Sequence, residues 1–309
     1  MTGTICRNGP EGASHKWCLS LFSLLRVRQL LEMIRFSHTL FALPFAMLAA
    51  AMAWADTAFR FRDLAGILLA MVFARSAAMS FNRLADRRLD ALNPRTAGRH
   101  LPRGVLSVGS VAAFAAACSI GFVASTLLFL PNWLPLAASL PVLAFLLGYS
   151  SSKRFTLLSH FWLGTALALA PLAAWVALRG EVAWAPVVLG LAVVLWVAGF
   201  DMIYACQDVT FDRTQGLFSI PARLGVAGGL RLAALCHLCM VVALLILPLV
   251  YDRFGLVYYS GVAAIGLLLI YEHRLVRPDD LTRVNQAFFY VNAVVSIGLF
   301  VIGVVDLVM

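Results

Sequence analysis

The sequence predicts an all-α polytopic membrane protein whose helices form a bundle around a central cavity. Three features support this prediction: the composition, the recurrence of long apolar runs, and the placement of basic residues between those runs. Of the 309 residues, 62% are hydrophobic and only 13% are charged. Because a soluble domain needs far more polar surface than this, the chain is expected to lie in a lipid bilayer.

Nine apolar runs are each close to the ~20 residues that a bilayer core requires, and they are predicted to be transmembrane helices. They cover residues 37–55, 64–82, 105–130, 134–150, 158–178, 184–204, 229–250, 255–273 and 287–306. Residues 1–25 are expected to form a loose N-terminal tail, and residues 26–309 a single transmembrane domain. The start of that domain, with Arg26, Arg28 and Arg35, is predicted to lie along the membrane interface.

The basic residues predict how the chain is oriented. Nineteen of the 24 Lys and Arg residues fall in the segments on one side of the nine spans, four fall on the other side, and Arg75 lies within a span. Since basic loops stay in the cytoplasm, the N-terminus is expected to be cytoplasmic and the C-terminus external, in the inner (cytoplasmic) membrane. The net charge of +9 does not indicate a nucleic-acid partner, because it is confined to short loops between apolar runs.

A polar stretch over residues 82–104 follows the second apolar run. Asn82, Asp86 and Asp90 are spaced four apart, which places their side-chain oxygens on one face of a helix. Oxygen ligands of this kind suit Mg²⁺, which is often shared with a phosphate. Arg95 and Arg99 follow, and the planar guanidinium group suits phosphate oxygens.

A second acidic stretch follows the sixth run. Asp201, Tyr204, Asp208 and Asp212 are spaced so that they too share one helical face. A charged run at a helix end is usually only a solvated surface. Two such ladders at equivalent positions on the same side of the membrane instead predict a metal and diphosphate site, because acids beside a bilayer are costly.

The polar motifs together resemble those of the UbiA superfamily of intramembrane aromatic prenyltransferases. Their order, spacing and predicted topology cover nearly the whole chain beyond the tail. The first ladder resembles the first signature of the superfamily, and the second ladder resembles its second. The matching residues are Asn82, Asp86, Asp90, Arg95, Thr96, Arg99, Pro102 and Gly104, then the Tyr149, Lys153 and Arg154 element, then Asp201, Tyr204, Asp208 and Asp212.

Within the superfamily, the chain most resembles the 4-hydroxybenzoate polyprenyltransferases. The resemblance implies transfer of a polyprenyl group from a polyprenyl diphosphate to an aromatic acid during quinone biosynthesis, with Mg²⁺ as the cofactor. Arg83 stands where the family usually has an acid, and the run from Tyr204 to Gly225 resembles a branch assigned to menaquinone synthesis through futalosine. Naphthoates, a futalosine-route precursor, a porphyrin or a lipid alcohol therefore remain alternative acceptors, and a membrane transporter is the alternative outside this class.

The resemblance and the physical logic of the reaction assign a role to each polar residue. Mg²⁺ bound to the two ladders would neutralise the diphosphate as its bond to the prenyl group breaks, and the basic residues would stabilise the departing group. The expected metal ligands are Asn82, Asp86, Asp90, Asp208 and Asp212, and the expected diphosphate-binding residues are Arg95, Arg99, Lys153 and Arg154.

The remaining polar residues are expected to serve the acceptor. Arg75 lies two helical turns before the first ladder and is expected to bind the acceptor or the diphosphate, the alternative being an ion pair with a nearby acid. Tyr149 and Tyr204 are expected to flank the acceptor ring, unless they are only aromatic residues of the membrane interface. Asp201 is expected to orient the acceptor or to take the ring proton.

Overall fold

The computed structural model describes residues 28–34 and 41–309, and within them the regular structure is helical apart from one isolated bridge between Arg277 and Asp280. Nine longer helices are labelled here in chain order. They are α1 (Leu43–Trp54), α2 (Phe61–Ala85), α3 (Val108–Thr126), α4 (Leu134–Ser152), α5 (Ser159–Arg179), α6 (Trp184–Ala205), α7 (Ile220–Val250), α8 (Leu256–Leu275) and α9 (Asn292–Val308). The predicted all-α class is confirmed.

Eight spans in the described residues are long and apolar enough to cross a membrane, with α9 counted together with the short helix and π turn that precede it. The ninth predicted span corresponds to α1, which at 12 residues is shorter than a bilayer crossing. Residues 35–40, which precede it, lie outside the described residues, so the count of nine stays a prediction. The predicted tail over residues 1–25, and the interfacial Arg26 and Arg35, also lie outside them.

The helix bounds agree with the predicted spans within about five residues, except at the start of the first, where α1 begins at Leu43, and at the start of the seventh. That span was expected to begin at residue 229, but α7 begins at Ile220. Ser219 caps the helix by accepting a hydrogen bond from the amide of Ala222, and Pro221 occupies the first turn, where its missing N–H costs nothing. The chain breaks at Gly225, whose positive φ of 75° glycine adopts without strain, and then continues as a helix.

Helix α6 is the centre of the bundle. In the most apolar 18 residues of the span that contains α6, 61% are buried. The corresponding share is 17–44% in the other seven spans. Trp196, at its middle, is fully buried, with the rings of Phe45 and Phe200 each 5.0 Å from its own. On one side α6 approaches α5 so closely that a Cβ added at Gly164 would lie 2.5 Å from the carbonyl oxygen of Val194.

A series of buried polar contacts connects α6 to α7, α8 and α9. Trp196 Nε1 donates to Asn292 Oδ1 at 2.6 Å, and the amide of Asn292 donates to Glu272 Oε1 at 2.9 Å. The other oxygen of Glu272 lies 3.7 Å from His237 Nδ1, which is itself 2.9 Å from His273 Nε2. Because polar groups in an apolar interior must find partners, these contacts fix which faces of the four helices meet.

Successive helices alternate in direction, so the ends of α2, α4 and α6 lie at the same end of the bundle as the starts of α3, α5 and α7. This end, called the polar end below, holds residues 82–107, 149–159 and 201–220. The helical segment over residues 28–34 also packs here, where Met33 and Ile34 are buried against Leu106 and Val111.

Candidate active site

The two acid ladders face each other at the polar end, but neither lies on one unbroken helix. Asn82 lies in the last turn of α2, Asp86 lies at a break with φ −93° and ψ 4°, and Asp90 belongs to a short second helix, Arg87–Leu92. The second ladder is broken in the same way at Asp208, which ends a 3₁₀ turn, Cys206–Asp208. Each break lies one turn before the last acid of its ladder, and those last acids, Asp90 and Asp212, are buried.

Four of the five ladder carboxylates, all except Asp201, are each paired with one of the four cations expected to bind diphosphate. The pairs are Arg154 with Asp86 at 2.9 Å, Arg99 with Asp90 at 2.6 Å, Arg95 with Asp208 at 2.9 Å, and Lys153 with Asp212 at 4.0 Å. All four acids are at most one-quarter exposed. Since a buried carboxylate requires a compensating charge, these pairs let the acids remain buried together.

The pair between Arg95 and Asp208 joins the two ladders. Arg95 donates to both oxygens of the carboxylate, and its remaining nitrogen donates to the hydroxyl of Tyr204 at 2.8 Å. Its guanidinium also lies 5.0 Å from the centre of the Tyr204 ring, within range of a cation–π contact. Asn93, which the sequence analysis did not single out, donates to Asp208 at 3.2 Å; its position before a proline in the basic loop was the available signal.

Hydrogen bonds within the first ladder satisfy part of the Asp86 carboxylate. The amide of Asn82 donates to Asp86 at 2.8 Å, and Arg83 donates to Asn82 at 3.3 Å. Burial raises the pKa of the Asp86 carboxyl, although Arg154 beside it acts in the opposite direction. One oxygen of Asp90 is buried and has no hydrogen-bond partner in the described part of the chain. This first ladder therefore retains unused capacity to bind positive charge.

The deeper residues form a second layer. Asp201 lies three residues before Tyr204 on α6, and its carboxylate is 2.6 Å from Nδ1 of His160 on α5. Among described residues, no carboxylate lies within 4.0 Å of Arg75, and its buried Nε has no hydrogen-bond partner, so an ion pair with a nearby acid is absent there. His160 was missed from the sequence, although a histidine at the polar end of an apolar span was a usable signal.

A cavity of about 420 Å³ lies beside Arg95 and Tyr204. Four of its lining residues are basic or can become so, and Tyr204, Gln207 and Asn285 add polar side chains to the lining. The lining residues are Glu32, Met33, Arg83, Arg95, Gly98, Arg99, His100, Tyr204, Gln207 and Asn285. A cavity with this lining can hold an anionic group.

The carboxylate oxygens of the two ladders are the kind of ligand that Mg²⁺ prefers. No three acidic, histidine or cysteine side chains within residues 28–34 and 41–309 are grouped closely enough to hold a metal by themselves. Mg²⁺ is commonly bound by one or two carboxylates together with substrate phosphates and water, so it does not need such a group. The unpartnered oxygen of Asp90 and the facing ladders fit that mode of binding.

A bundle of membrane helices with paired acids and cations at one end suits a membrane enzyme that acts on an anionic substrate. Comparison with known proteins gives the particular class. The model of the UbiA prenyltransferase family matches residues 42–294, and the chain belongs to this family. It is therefore a prenyltransferase, which transfers polyprenyl groups.

Two curated relatives have equal identity to the chain but different names. The 4-hydroxybenzoate octaprenyltransferase of Nitrosospira multiformis is 31% identical over 228 residues, which cover 73% of this chain and 76% of the relative. The protoheme IX farnesyltransferase of Thioalkalivibrio sulfidiphilus is 31% identical over 242 residues, which cover 75% and 78%. Overall identity therefore does not by itself select the acceptor.

Two solved structures show the same fold. The apo structure of a UbiA homologue from Aeropyrum pernix K1 has a TM-score of 0.78 and 35% identity, covering 87% of this chain and 98% of that one. A UbiA homologue from Archaeoglobus fulgidus, bound to DMAPP and Mg²⁺, has a TM-score of 0.68 and 18% identity, covering 91% and 99%. The second likeness is one of fold alone.

Proposed function

We propose that this prenyltransferase transfers a polyprenyl group from a polyprenyl diphosphate to an aromatic acid resembling 4-hydroxybenzoate, in a Mg²⁺-dependent step of quinone biosynthesis. The observation that supports this most directly is the set of four acid–cation pairs at the polar end. A diphosphate with bound Mg²⁺ carries both kinds of partner at once. It can therefore replace each pair with one contact from the cation to phosphate and one from the acid to the metal.

Magnesium would be held by the ladder residues Asn82, Asp86, Asp90, Asp208 and Asp212. When bound, it supplies positive charge that stabilises the diphosphate as the bond to the prenyl group breaks. The homologue from Archaeoglobus fulgidus, bound to DMAPP and Mg²⁺, supports this choice of metal and substrate class.

The four cations would bind the diphosphate oxygens. Arg95 and Arg99 come from the loop after the first ladder, while Lys153 and Arg154 come from the end of α4, so they would approach the leaving group from two sides. Fixed donors directed at a developing charge stabilise it without reorganisation. The apolar walls of the bundle accommodate the prenyl chain and keep water away from the allylic cation.

The acceptor is proposed to bind deeper in the bundle. Arg75 has a buried nitrogen without a hydrogen-bond partner in the described residues, and a carboxylate would satisfy it. Tyr149 and Tyr204 are proposed to flank the acceptor ring. Asp201 lies one turn deeper on α6 than Tyr204 and is proposed to orient the acceptor or to take the ring proton.

The proposed setting is the inner bacterial membrane, with the polar end in the cytoplasm and the C-terminus outside. The excess of basic residues at the polar end supports this orientation. Both proposed substrates would then reach the site directly, the prenyl diphosphate through the bilayer and the aromatic acid from the aqueous side.

The test is a transfer assay with the purified protein, a labelled polyprenyl diphosphate and Mg²⁺. The acceptors compared are 4-hydroxybenzoate, a hydroxynaphthoate, protoheme and phenol, which lacks the carboxylate. We expect transfer to 4-hydroxybenzoate, a higher KM for phenol, and loss of this difference in Arg75→Ala. Transfer only to the naphthoate or to protoheme would reassign the acceptor, and absence of transfer to all four would refute the proposed function.

A further inference from the structure

The contact between His160 and Asp201, the deepest acid of the second ladder, is a paired base separate from the four acid–cation pairs. His160 is the second residue of α5 and is fully buried, whereas the side chain of Asp201 remains 15% exposed. Their side chains meet at 2.6 Å, between His160 Nδ1 and Asp201 Oδ2. A bond of this length between an imidazole and a carboxylate is strong and directional. The more exposed member, Asp201, is the one that a bound acceptor can reach.

The bundle holds this pair rigidly. Gly164 lies one turn after His160 on the same face of α5, and it allows the backbone of α6 to approach at Val194. Val194 is seven residues before Asp201, so the close crossing and the side-chain contact lie along one helix–helix seam. Any side chain at residue 164 would separate the two helices there, which explains why a glycine suits this position.

The imidazole has one free position. His160 Nε2 is buried and has no hydrogen-bond partner among the described residues. In the neutral tautomer with its proton on Nδ1, His160 donates to Asp201 and leaves only a lone pair unsatisfied at Nε2. The opposite tautomer would set a lone pair against the carboxylate at 2.6 Å and bury an unpaired N–H. The hydrogen-bond geometry therefore favours a His160 that donates to Asp201.

We propose that His160 is a positioning residue that holds the Asp201 carboxylate ready to accept the proton released from the acceptor ring, an inference that rests on the proposed function. The C1–O bond of the prenyl diphosphate breaks, and its electron pair leaves with the diphosphate. A ring carbon of the acceptor supplies the electrons of the new C–C bond to C1. The proton on that carbon passes to Oδ1 of Asp201, the oxygen that does not contact His160, and the C–H electrons restore the aromatic ring.

His160 contributes by fixing Oδ2 and by stabilising the carboxylate until the proton arrives. A carboxylate that rotates freely would lose the alignment that proton transfer requires. This role differs from that of the proposed metal ligands, because it affects the acceptor half of the reaction and not the binding of the diphosphate.

The experiment measures kcat and KM for the His160→Ala, His160→Asn and Asp201→Asn variants and for the double variant His160→Ala/Asp201→Asn. The amide of asparagine can replace the Nδ1 donor, so His160→Asn should retain most of the activity. His160→Ala should lower kcat by ~10-fold or more, with the KM for polyprenyl diphosphate unchanged. In the Asp201→Asn background, His160→Ala should cause no further loss, since its effect acts through that carboxylate.

Thermal unfolding of each variant in detergent separates this role from a loss of folding. A His160→Ala protein that folds normally and retains at least half of the kcat overturns the inference, and so do additive losses in the double variant. If His160→Ala does not fold, His160→Leu, which fills the space without a hydrogen-bond donor, replaces it alone and in the Asp201→Asn background, and a folded His160→Leu protein that retains at least half of the kcat overturns the inference. A wild-type protein that transfers to none of the four acceptors overturns both the inference and the proposed function, whereas a normal wild type with additive losses overturns the inference alone.

Discussion

Replacing Lys153 with alanine is expected to lower kcat strongly while leaving the fold nearly unchanged. Its Nζ lies 4.0 Å from Asp212, the longest of the four acid–cation pairs, and its side chain is 32% exposed. Asp212 also accepts a hydrogen bond from the hydroxyl of Ser219 at 2.7 Å, which remains in the variant. Lys153 is therefore the cation of the four that is least committed to the fold and most able to turn towards a bound diphosphate.

The expected magnitudes differ between stability and rate. A partly exposed ion pair without a direct hydrogen bond contributes ~0–1 kcal/mol to the free energy of unfolding, because solvent screens it. A fixed donor that stabilises charge developing in the transition state is worth ~3–4 kcal/mol, or about 10²–10³ in rate. Lys153→Ala should accordingly lose ~10²–10³ in kcat, with little change in unfolding temperature.

The assay follows steady-state transfer at fixed Mg²⁺ with Lys153→Ala, Lys153→Arg and Arg283→Ala. Lys153→Arg should recover part of the rate, because it keeps the charge but changes the donor geometry. Arg283→Ala is the matched control, since it removes an exposed cation two residues from Asn285, which lines the same cavity as Arg95. If Lys153→Ala retains more than half of the wild-type kcat, the lysine serves only as an anchor to lipid headgroups. A raised KM with normal kcat would restrict its role to substrate binding.

Three further predictions follow from the ladders, from the buried polar contacts of Asn292 and from the basic loops. Removal of divalent cations with EDTA should abolish transfer and added Mg²⁺ should restore it, so activity in EDTA would contradict the metal assignment. The Asp86→Ala protein should insert into the membrane but stay inactive even at saturating Mg²⁺. Asn292→Ala should destabilise the fold by ~1–3 kcal/mol in thermal unfolding, because Trp196 and Glu272 lose their partner. A reporter fused after Met309 should report an external C-terminus, and a cytoplasmic signal would mean that the spans are miscounted.

The helices and the facing ladders could be predicted because both depend on local sequence. Apolar runs of bilayer length fix the spans, and alternation between antiparallel neighbours then brings every second loop to the same end. The breaks at Asp86 and Asp208 could not be predicted, because no proline or glycine marks them. The i, i+4 spacing within each ladder is equally compatible with an unbroken helix.

The partners of each polar residue could not be predicted either, because they depend on long-range packing. Arg95 pairs with Asp208, 113 residues further along the chain, and Trp196 with Asn292 at a separation of 96. Sequence spacing assigns such residues to a face and to an end of the bundle, but not to one another. No regular spacing in the sequence relates His160 to Asp201, so only the structure shows that the two side chains are paired.

The arrangement of the pairs explains how a site with so many buried acids stays folded before its substrate binds. Three of the four pairs join different segments: Arg95 links the two ladders, while Lys153 and Arg154 each link α4 to one of them. The cations therefore hold the polar end together through the same carboxylates that are proposed to bind metal. A diphosphate with Mg²⁺ would bridge these segments in place of the direct contacts, so the exchange preserves both charge balance and connectivity. Removing one carboxylate would leave a cation without its partner even before catalysis, and the Asp86→Ala protein should be compared with Asp86→Asn, which retains a hydrogen-bond acceptor for Arg154.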